Sequence, residues 1–445
     1  MRVSIAGTGY VGLVTGVCLA EKGHTVTCVD VDADKVARIN AGQPPIYEAG
    51  LEALLTANLH KRFTATHDLR TAVLASDITL IAVGTPFDGQ QIDLAYVKQV
   101  AAEIGAALAD KPDYHLVIVK STVVPGTTDN VVTPILEQHS GKQAGRDFGV
   151  GTNPEFLSEG TAIADFLQPD RIVLGGNDER SRDLLASLYD EFPGVPRVHT
   201  SNKAAEMIKY ASNSLLATMI SYANEIGNLC STLGGVDVVE VMRGVHLSQY
   251  LSTNGHHGER STAPIASFLS AGCGFGGSCL PKDVAALIRH GEQAGAAMPL
   301  LSAVLSINQQ QPHKMLGLLK KHFPSLRGVR VAVLGLAFKP ETDDMRLSPA
   351  IPIVQGLLAE QAVVKAYDPI ANAAARRVLP DPALQFCGSL PEALAEAEAV
   401  LLITRWDEFQ RLPDLLANRH PQPVCIDGRR MIPRHSVQRY EGMGV

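Results

Sequence analysis

The sequence predicts an α/β fold in which two doubly wound sheet domains are joined by a long central helix and a helical connector. Three features predict it: a glycine-rich turn between a buried strand and a helix near the amino terminus, a long middle stretch poor in glycine and proline, and a second strand-and-helix alternation after Pro324. A chain of 445 residues exceeds one compact core of about 100–200 residues. We therefore expect three domains, at 1–200, 201–315 and 316–445.

The composition is that of a globular protein. Hydrophobic residues make up 46% and charged residues 19%, which argues against a disordered, collagen-like or disulfide-stapled chain. The 39 Lys and Arg against 46 Asp and Glu give a net charge of −7, so nothing attracts the whole protein to nucleic acid or anionic lipid. We expect neither nucleic acid nor a membrane as a partner.

The cysteines and the amino-terminal residues favour a cytoplasmic protein. Seven cysteines without a C-x-x-C pair or a zinc-type Cys/His spacing fit reduced thiols and no metal site. Arg2 precedes an uncharged run over 3–20 that superficially resembles a signal peptide, but glycines interrupt it. Because no run approaches about 18 apolar residues, we expect no transmembrane helix.

Strands and helices alternate through the first 200 residues or so. A helix follows the first strand and is expected to end at about Lys22. This alternation is typical of a parallel sheet covered by helices on both faces. The predicted strands are 3–6, 25–29, 78–83, 116–120 and 172–175.

The middle of the chain is predicted to be helical. Apolar residues recur at helical spacing over 201–230 without a glycine or proline before Gly227, which predicts one long helix. A polar, turn-rich stretch follows at 248–262. More helix is expected over 281–321.

A second, smaller α/β domain is predicted after Pro324. It contains Gly335 but no second G-x-G-x-x-G, so we expect a distinct ligand or a different binding mode there. Its predicted strands begin at Val329 and continue at 363–367, 399–404 and 424–427.

The glycine-rich turn, Gly7-x-Gly9-x-x-Gly12, predicts a dinucleotide site. It follows a strand, opens a helix, and precedes by 18 residues Asp30 at the end of the next strand, as in Rossmann-like domains. Glycines let backbone N–H groups and the helix N-terminus approach a pyrophosphate, and a carboxylate at Asp30 would accept the ribose hydroxyls. Because that carboxylate repels a 2′-phosphate, we expect NAD rather than NADP.

Two further turns follow strand ends. Gly84-Thr85-Pro86 and Ser121-Thr122 lie where an open α/β sheet binds its ligands. Either one alone is more typical of an ordinary turn or helix cap. Their shared location is what favours a ligand site.

The segment 274–283 is the most informative in the chain. Glycines precede Cys279, and Pro281 suits a first helical turn, so the thiol is expected at a helix N-terminus with Lys282 nearby, an environment that lowers a thiol pKa. The alternative is a buried cysteine acting as a small hydrophobe. Glycines that leave backbone open to a ligand favour the reactive interpretation.

Two polar pairs remain ambiguous from spacing alone. Lys209 and Asn213 are four residues apart on the long helix and project from one face, which describes either a site or a solvated stripe. Glu155 and Glu159 are also four apart, and they are either surface charge or an acid/base pair. A nicotinamide beside a thiolate would let an aldehyde be captured and oxidised again, which suggests oxidation of an alcohol to an acid.

Several motifs spread along the chain together match one known family. They are Gly7-x-Gly-Tyr-Val-Gly12, Val83-Gly-Thr-Pro86, Lys120-Ser-Thr122, Asn153-Pro-Glu-Phe-Leu157, Ala205-Glu-Met-Ile-Lys-Tyr210, Gly276-Gly-Ser-Cys279-x-Pro-Lys-Asp283, Phe338-Lys339 and Thr342-Asp-Asp-Met-Arg346. Through them the chain resembles, over nearly its whole length, the UDP-glucose/GDP-mannose dehydrogenases, and within them most closely the UDP-glucose branch. The resemblance implies a four-electron oxidation of the sugar C6 hydroxyl to a carboxylate by two NAD through a covalent thioester, in dimers or larger assemblies built around the long helix.

The resemblance also implies roles for individual residues. Cys279 resembles the nucleophile, and Lys209 with Asn213 the group that stabilises the C6 oxyanion. Asp283 is expected to position a water or a lysine. Thr122 and Glu155 resemble the pair that handles water during proton transfer and thioester hydrolysis.

The binding residues follow from the same resemblance. Those implied for NAD are Gly7, Gly9, Tyr10, Val11, Gly12, Asp30, Lys35, Thr85, Thr122, Glu159, Lys282 and Arg346. Those implied for the nucleotide sugar are Glu155, Phe156, Leu157, Ser158, Glu159, Lys209, a closing loop formed by Phe268, Leu269, Ser270, Ala271 and Gly272, then Gly276 and, from the second α/β domain, Lys339.

The segment 245–265 departs most from the family pattern. It lacks the usual short arginine-bearing stretch ahead of Phe268 and is longer and richer in His and Asn. This leaves GDP-mannose or a UDP-N-acetylhexosamine as alternative substrates to UDP-glucose. His256 and His257 are expected on a solvated loop. Milder departures are Leu280, Ser158, Leu347-Ser348 and Arg405.

Two functions of other classes compete with this one. A regulatory or scaffold protein could keep the fold without the chemistry, but the nucleophile, the lysine, the asparagine and both carboxylates are all present together. A two-electron hydroxyacid dehydrogenase with the same two-lobed plan would make no use of Cys279. Counting two NADH per substrate would exclude it.

Overall fold

The structure is a computed structural model, and it describes residues 1–254 and 260–445. The chain forms two compact units, Met1–Ser212 and Asn213–Val445. The division into three domains stays a prediction. His256 and His257 lie outside the described residues.

An eight-stranded sheet forms the centre of the first unit, in the order β3-β2-β1-β4-β5-β6-β7-β8. β2 and β3 lie on one side of β1 and β4 to β8 on the other, so β1 and β4 flank the point where the strand order reverses, which is where open α/β sheets bind nucleotides. The strands are β1 Arg2–Ala6, β2 Thr25–Val29, β3 Phe63–Thr66, β4 Ile78–Ile81, β5 Leu116–Val119, β6 Gly149–Thr152, β7 Ile172–Gly176 and β8 Arg197–Thr200.

Helices cover both faces of this sheet. Along β5, Leu116 and Ile118 pack into the cluster on one face, whereas Val117 and Val119 pack into the cluster on the other. Two buried faces explain why β5 is apolar at every position. The helices are α1 Tyr10–Glu21, α2 Ala33–Asn40, α3 Leu51–Asn58, α4 Leu69–Ala75, α5 Ala95–Ala109, α6 Thr133–Ser140 after a π-helical turn at Thr128–Val132, α7 Ala162–Leu167 and α8 Glu179–Ser187.

The sheet is not wholly parallel, which corrects the expectation. β6 and β7 pair antiparallel, with Gly151 opposite Gly176 and Thr152 opposite Gly175. A Cβ on Gly151 would lie 2.9 Å from the Gly175 carbonyl oxygen, so only glycine permits this approach. The remaining neighbours in the sheet are parallel.

The predicted long helix is present as α9, Asn202–Leu233. In the second unit it is followed by α10 Val238–His246, two short antiparallel strands, β9 Ser252–Asn254 and β10 Arg260–Thr262, and a 3-10 turn at Pro264–Phe268. The helical stretch expected over 281–321 is two helices, α11 Leu280–Gln293 and α12 Pro299–Lys320. Gly295, at φ +77°, lies in the turn that separates them.

The carboxyl-terminal sheet has six parallel strands, in the order β13-β12-β11-β14-β15-β16. Its strands are β11 Arg330–Leu334, β12 Val363–Tyr367, β13 Leu384–Phe386, β14 Ala399–Leu402, β15 Val424–Asp427 and β16 Tyr440–Gly442. Its helices are α13 Ala350–Ala359, α14 Asn372–Val378, α15 Leu390–Leu394 and α16 Leu412–Leu416. Two 3-10 turns lie at Asp407–Arg411 and Arg434–Ser436. Among the described residues, no helix is long and apolar enough to cross a membrane.

Candidate functional site

The glycine-rich turn has the geometry that a pyrophosphate requires. Gly7 has φ +104°, and a Cβ on Gly12 would overlap the Gly7 carbonyl oxygen, so both positions need glycine for the turn and its packing. A Cβ on Gly9 would meet no atom within 4 Å. Gly9 is the N-cap of α1, so the open space lies at a helix N-terminus, and these residues fit a bound dinucleotide.

Asp30 is held ready as an acceptor at the end of β2. Its carboxylate accepts hydrogen bonds from the N–H of Thr8 at 3.0 Å, from the Thr8 hydroxyl at 2.5 Å and from the N–H of Asp32 at 3.0 Å. Partial burial opposes ionisation, but these bonds and the charge of Lys35 outweigh it and lower the pKa of Asp30. A fixed negative charge at this place favours NAD over NADP, because it would repel the 2′-phosphate of NADP.

The carboxyl-terminal sheet has a carboxylate at a comparable position, but both of its oxygens already accept hydrogen bonds. Asp368, at the end of β12, accepts hydrogen bonds from the N–H groups of Leu336 and Ala337 and from the Trp406 indole through one oxygen. Its other oxygen accepts from two further backbone N–H groups, and only 1% of the residue is exposed. The Asp368 carboxylate is therefore used within the domain itself, and the distinct ligand or different binding mode expected there stays a prediction.

The two turns that follow β4 and β5 contact each other. The Thr85 hydroxyl donates to the Thr122 carbonyl oxygen at 2.7 Å, and the Ser121 hydroxyl donates to that of Val83 at 2.7 Å. They lie at the carboxyl edge of the sheet, beside the point where the strand order reverses. Their roles in binding stay predictions.

A buried ion pair joins Lys209 to Glu155, at 2.9 Å between Nζ and Oε1. Lys209 is 4% and Asn213 8% exposed, so the pair on α9 is not a solvated stripe. Burial opposes ionisation of Glu155, but Lys209 and the Leu157 N–H outweigh it and lower its pKa. Glu155 is therefore an ionised carboxylate and not surface charge, whereas Glu159 is partly exposed.

Phe156 lies between two cations. The Arg171 guanidinium is 3.9 Å from its ring centroid, and the Lys209 ammonium is 5.5 Å away. Arg171 also donates to the Ser212 hydroxyl of α9 at 3.2 Å. The motif Pro169-Asp-Arg171-Ile-Val also resembles the UDP-glucose branch, but no local pattern in the sequence indicates the contact of Arg171 with Phe156.

Lys120 is a second buried lysine that the sequence analysis left without a role. It is 3% exposed, and its ammonium donates to the Asn153 side-chain oxygen at 2.8 Å. Burial lowers its pKa to about 8, while Glu155 raises it and Lys209 lowers it further. The detectable signal was its place in the motif Lys120-Ser-Thr122, directly after β5.

Glu206 connects α9 to the segment that follows Thr122. Its carboxylate accepts the N–H groups of Gly126 and, at 2.8 Å, Thr128. It is 2% exposed, and burial raises its pKa to about 7 despite those bonds. Between pH 4.5 and about 7 the raised pKa therefore favours the protonated carboxyl in the folded protein and the ionised one in the unfolded chain.

This raised pKa predicts a pH-dependent stability. Because the unfolded carboxyl has a pKa of 4.5, the contribution of Glu206 is complete below that pH and is lost as the pH rises to about 7. We expect the free energy of unfolding to fall by roughly 2–3 kcal/mol more in the wild type than in Glu206→Gln between pH 4.5 and 8. Urea unfolding at both pH values measures this difference. Exposed Glu225→Gln on the same helix should behave like the wild type, and equal pH slopes for all three proteins would contradict the assignment.

In the second unit, Cys279 is the N-cap of α11, with Pro281 in the first turn, as predicted. It is exposed, whereas the other six cysteines are buried, so it is not a small core hydrophobe. Asp283 is 1% exposed and accepts hydrogen bonds from Asn213 Nδ2 at 2.7 Å and Lys282 Nζ at 2.6 Å. Asp283 thus orients Asn213, which is predicted to stabilise the oxyanion, and Lys282, which is predicted to bind NAD.

The glycines ahead of Cys279 are buried, which corrects the expectation of backbone open to a ligand. A Cβ on Gly276 would overlap the Leu347 carbonyl oxygen, and one on Gly277 would lie 2.7 Å from the Phe338 ring. The Gly277 N–H donates to the Arg346 carbonyl oxygen at 2.8 Å. These glycines are therefore needed for close packing within the second unit. They do not leave open backbone for a ligand beside the Cys279 thiol.

The remaining predicted residues of this unit differ in exposure and in their contacts. In the predicted closing loop, Leu269, Ala271 and Gly272 are buried, and the Gly272 N–H donates to the Asn224 side chain of α9 at 2.7 Å. Arg346 is exposed, and its guanidinium forms an ion pair with Asp344 at 2.7 Å. Phe268 and Lys339 are half-buried, and Ser270 is exposed.

The predicted catalytic residues are divided between the two units. Thr122, Glu155 and Lys209 belong to the first, and Asn213, Cys279 and Asp283 belong to the second. Lys209 and Asn213 are one turn apart on α9.

Known proteins that are similar to this chain match it over its whole length. A UDP-glucose 6-dehydrogenase of Haloferax volcanii is 44% identical over 448 residues, covering 100% of both chains. A GDP-mannose 6-dehydrogenase of Pseudomonas putida is 38% identical over 461 residues, also covering 100% of both. The solved structure of a UDP-glucose dehydrogenase from Pyrobaculum islandicum has a TM-score of 0.90 at 39% identity, covering 99% of this chain and 97% of that one.

The α/β fold, the glycine-rich turn and the fixed Asp30 define an NAD-dependent dehydrogenase. Residues 1–193 match the NAD binding domain of the UDP-glucose/GDP-mannose dehydrogenase family, 203–310 its central domain and 332–434 its UDP binding domain. The chain belongs to that family.

Proposed function

We propose that this protein oxidises the C6 hydroxyl of UDP-glucose to a carboxylate, giving UDP-glucuronate with two NAD consumed. The observation that carries the proposal is the exposed Cys279 at the N-terminus of α11, because a two-electron dehydrogenase would have no use for it. UDP-glucose is favoured because the relative at 44% identity and the structure at TM-score 0.90 both bear that activity in their names.

Cys279 is proposed to carry the sugar between the two oxidations. NAD supplies the hydride acceptor for each of them. The Cys279 thiolate adds to the carbonyl carbon of the C6 aldehyde, and the resulting thiohemiacetal loses a second hydride and a proton to become a thioester. Water then breaks the C–S bond, which releases the carboxylate and restores the thiol.

Two pairs of residues are proposed to stabilise negative charge and to transfer protons. Lys209 and Asn213 donate to the C6 oxygen as it gains negative charge. Glu155 is kept ionised by Lys209, so it can accept a proton from a water that Thr122 also holds. Asp283 keeps the Asn213 amide oriented through their 2.7 Å hydrogen bond.

Initial rates of NADH formation against several nucleotide sugars test the substrate. UDP-glucose should give the highest kcat/KM, with little turnover of GDP-mannose or the UDP-N-acetylhexosamines, and NADP should not replace NAD. Preference for another nucleotide sugar would contradict UDP-glucose and leave the chemistry standing. No turnover of any of them would contradict the function.

A homodimer or larger homo-oligomer built on α9 is also proposed. Leu215, Tyr222 and Leu229 recur every seven residues on this helix and are 52%, 48% and 54% exposed. Spacing of this kind places them on one stripe, as at a helix–helix interface. Sedimentation of the wild type should give at least twice the monomer mass, and Leu229→Glu should shift it toward the monomer. A monomeric wild type would contradict the proposal.

The cytoplasm is the proposed location, and three domains at 1–200, 201–315 and 316–445 are the proposed division. The seven cysteines include no C-x-x-C pair and no zinc-type Cys/His spacing, which favours a reducing compartment. The three family matches end and begin close to the proposed boundaries.

A further inference from the structure

We infer that Glu48 is a positioning residue for hydride transfer, because its carboxylate links the glycine-rich turn to the segment that carries Glu155 and Glu159. The inference rests on the proposed function. It concerns the first unit alone, and Glu48 itself is not expected to touch the reacting atoms.

Three donors converge on the Glu48 carboxylate. One oxygen accepts from the Tyr10 hydroxyl and, at 2.6 Å, from the Gly160 N–H. The other accepts from the Ala162 N–H at 2.8 Å. Glu48 is 6% exposed, so little water competes for these bonds.

The donors belong to two separate parts of the candidate site. Tyr10 is the first residue of α1, directly after Gly9 in the glycine-rich turn. Gly160 and Ala162 directly follow the predicted substrate segment, and Gly160 has φ +87°, so its N–H is directed by a turn that favours glycine. The Gly160 N–H also lies 3.0 Å from the Tyr10 oxygen, which closes a three-residue network.

A carboxylate is the group suited to this place, because its two acceptor oxygens accept from all three donors at once. Burial and the neighbouring Glu48 raise the pKa of Tyr10, so the phenol remains a donor. A glutamine has one acceptor oxygen and would point its own N–H₂ at a backbone or hydroxyl donor.

The consequence is a fixed distance between two binding segments. Hydride transfer requires the reacting atoms in near-attack geometry, and displacements of about 1 Å lower rates by about 100-fold. If Glu48 holds the NAD turn against the sugar segment, then loosening it slows the hydride step without removing any group that binds either ligand.

The test compares Glu48→Gln with Glu52→Gln, an exposed glutamate on α3. We expect Glu48→Gln to lower kcat for NADH formation by about 10–100-fold. The deuterium isotope effect with UDP-glucose labelled at C6 should rise above the wild-type value, because hydride transfer becomes rate-limiting. Glu52→Gln should match the wild type in both.

A purely structural role would lower the fraction of folded enzyme without changing the isotope effect. An isotope effect and a kcat per folded enzyme equal to the wild type would therefore overturn the inference. Should Glu48→Gln not fold, Tyr10→Phe removes one of the three donors and should shift both quantities in the same direction by a smaller factor; no shift there would overturn it as well. A wild type without turnover contradicts the proposed function together with this inference.

Discussion

Replacing Cys279 by serine should abolish formation of the acid and lower kcat for NADH production by about 1,000-fold or more. A serine at the N-terminus of α11 keeps the size of the side chain but is a weak nucleophile without an adjacent base, so the aldehyde is not captured. Steady-state NADH formation and chromatography of the nucleotide-sugar product measure the two effects.

The matched control for this variant is Cys387→Ala. Cys387 is buried at 1% exposure in the carboxyl-terminal sheet domain, so its loss tests for general effects of removing a thiol. It should retain kcat, with a modest loss of stability. Unchanged acid formation in Cys279→Ser would show that the second oxidation does not pass through a thioester.

Replacing Lys209 by methionine should reduce both activity and stability. The change leaves the Glu155 carboxylate buried without its cation, which we expect to lower the free energy of unfolding by about 3–5 kcal/mol. It also removes a donor to the C6 oxyanion, so kcat should fall by about 100–1,000-fold. Urea unfolding and steady-state kinetics on the same preparations measure the two losses.

A double variant separates the two causes. In Lys209→Met with Glu155→Gln the carboxylate that lost its cation is removed as well, so most of the lost stability should return. Activity should not return, because both proposed catalytic groups are then gone. Exposed Lys203→Met on the same helix should resemble the wild type. Wild-type kcat in Lys209→Met would contradict the role given to this lysine.

Local signals in the sequence were sufficient for the parts of the fold that depend on them. The glycine-rich turn, the strand that ends at Asp30 and the uninterrupted helix α9 each follow from patterns within about 30 residues. Cys279 at a helix N-terminus followed in the same way from the glycines and Pro281.

Other elements were missed because distant packing decides them. β6 reads Gly149-Val-Gly-Thr152, a poor strand former, yet a Cβ on Gly149 would crowd the Tyr114 and Ser181 side chains. The antiparallel pairing of β6 with β7 likewise depends on glycines facing each other across the sheet.

The burial of the charged residues in the site could not be predicted from the sequence for the same reason. The helical spacing placed Lys209 and Asn213 on one face but could not say that the face was buried. Lys120 and Glu48 are charged residues in loops, and loops are usually solvated. Only the folded chain brings Glu48 to Tyr10 and Gly160, residues 38 and 112 positions away.

The most direct test of the account is the yield of NADH from a limiting, known amount of UDP-glucose in the presence of excess NAD. A four-electron oxidation through Cys279 predicts two NADH for each UDP-glucose consumed, with UDP-glucuronate as the product. One NADH for each UDP-glucose, with an aldehyde as the product, would contradict it, since Cys279 would then take no part in a second oxidation.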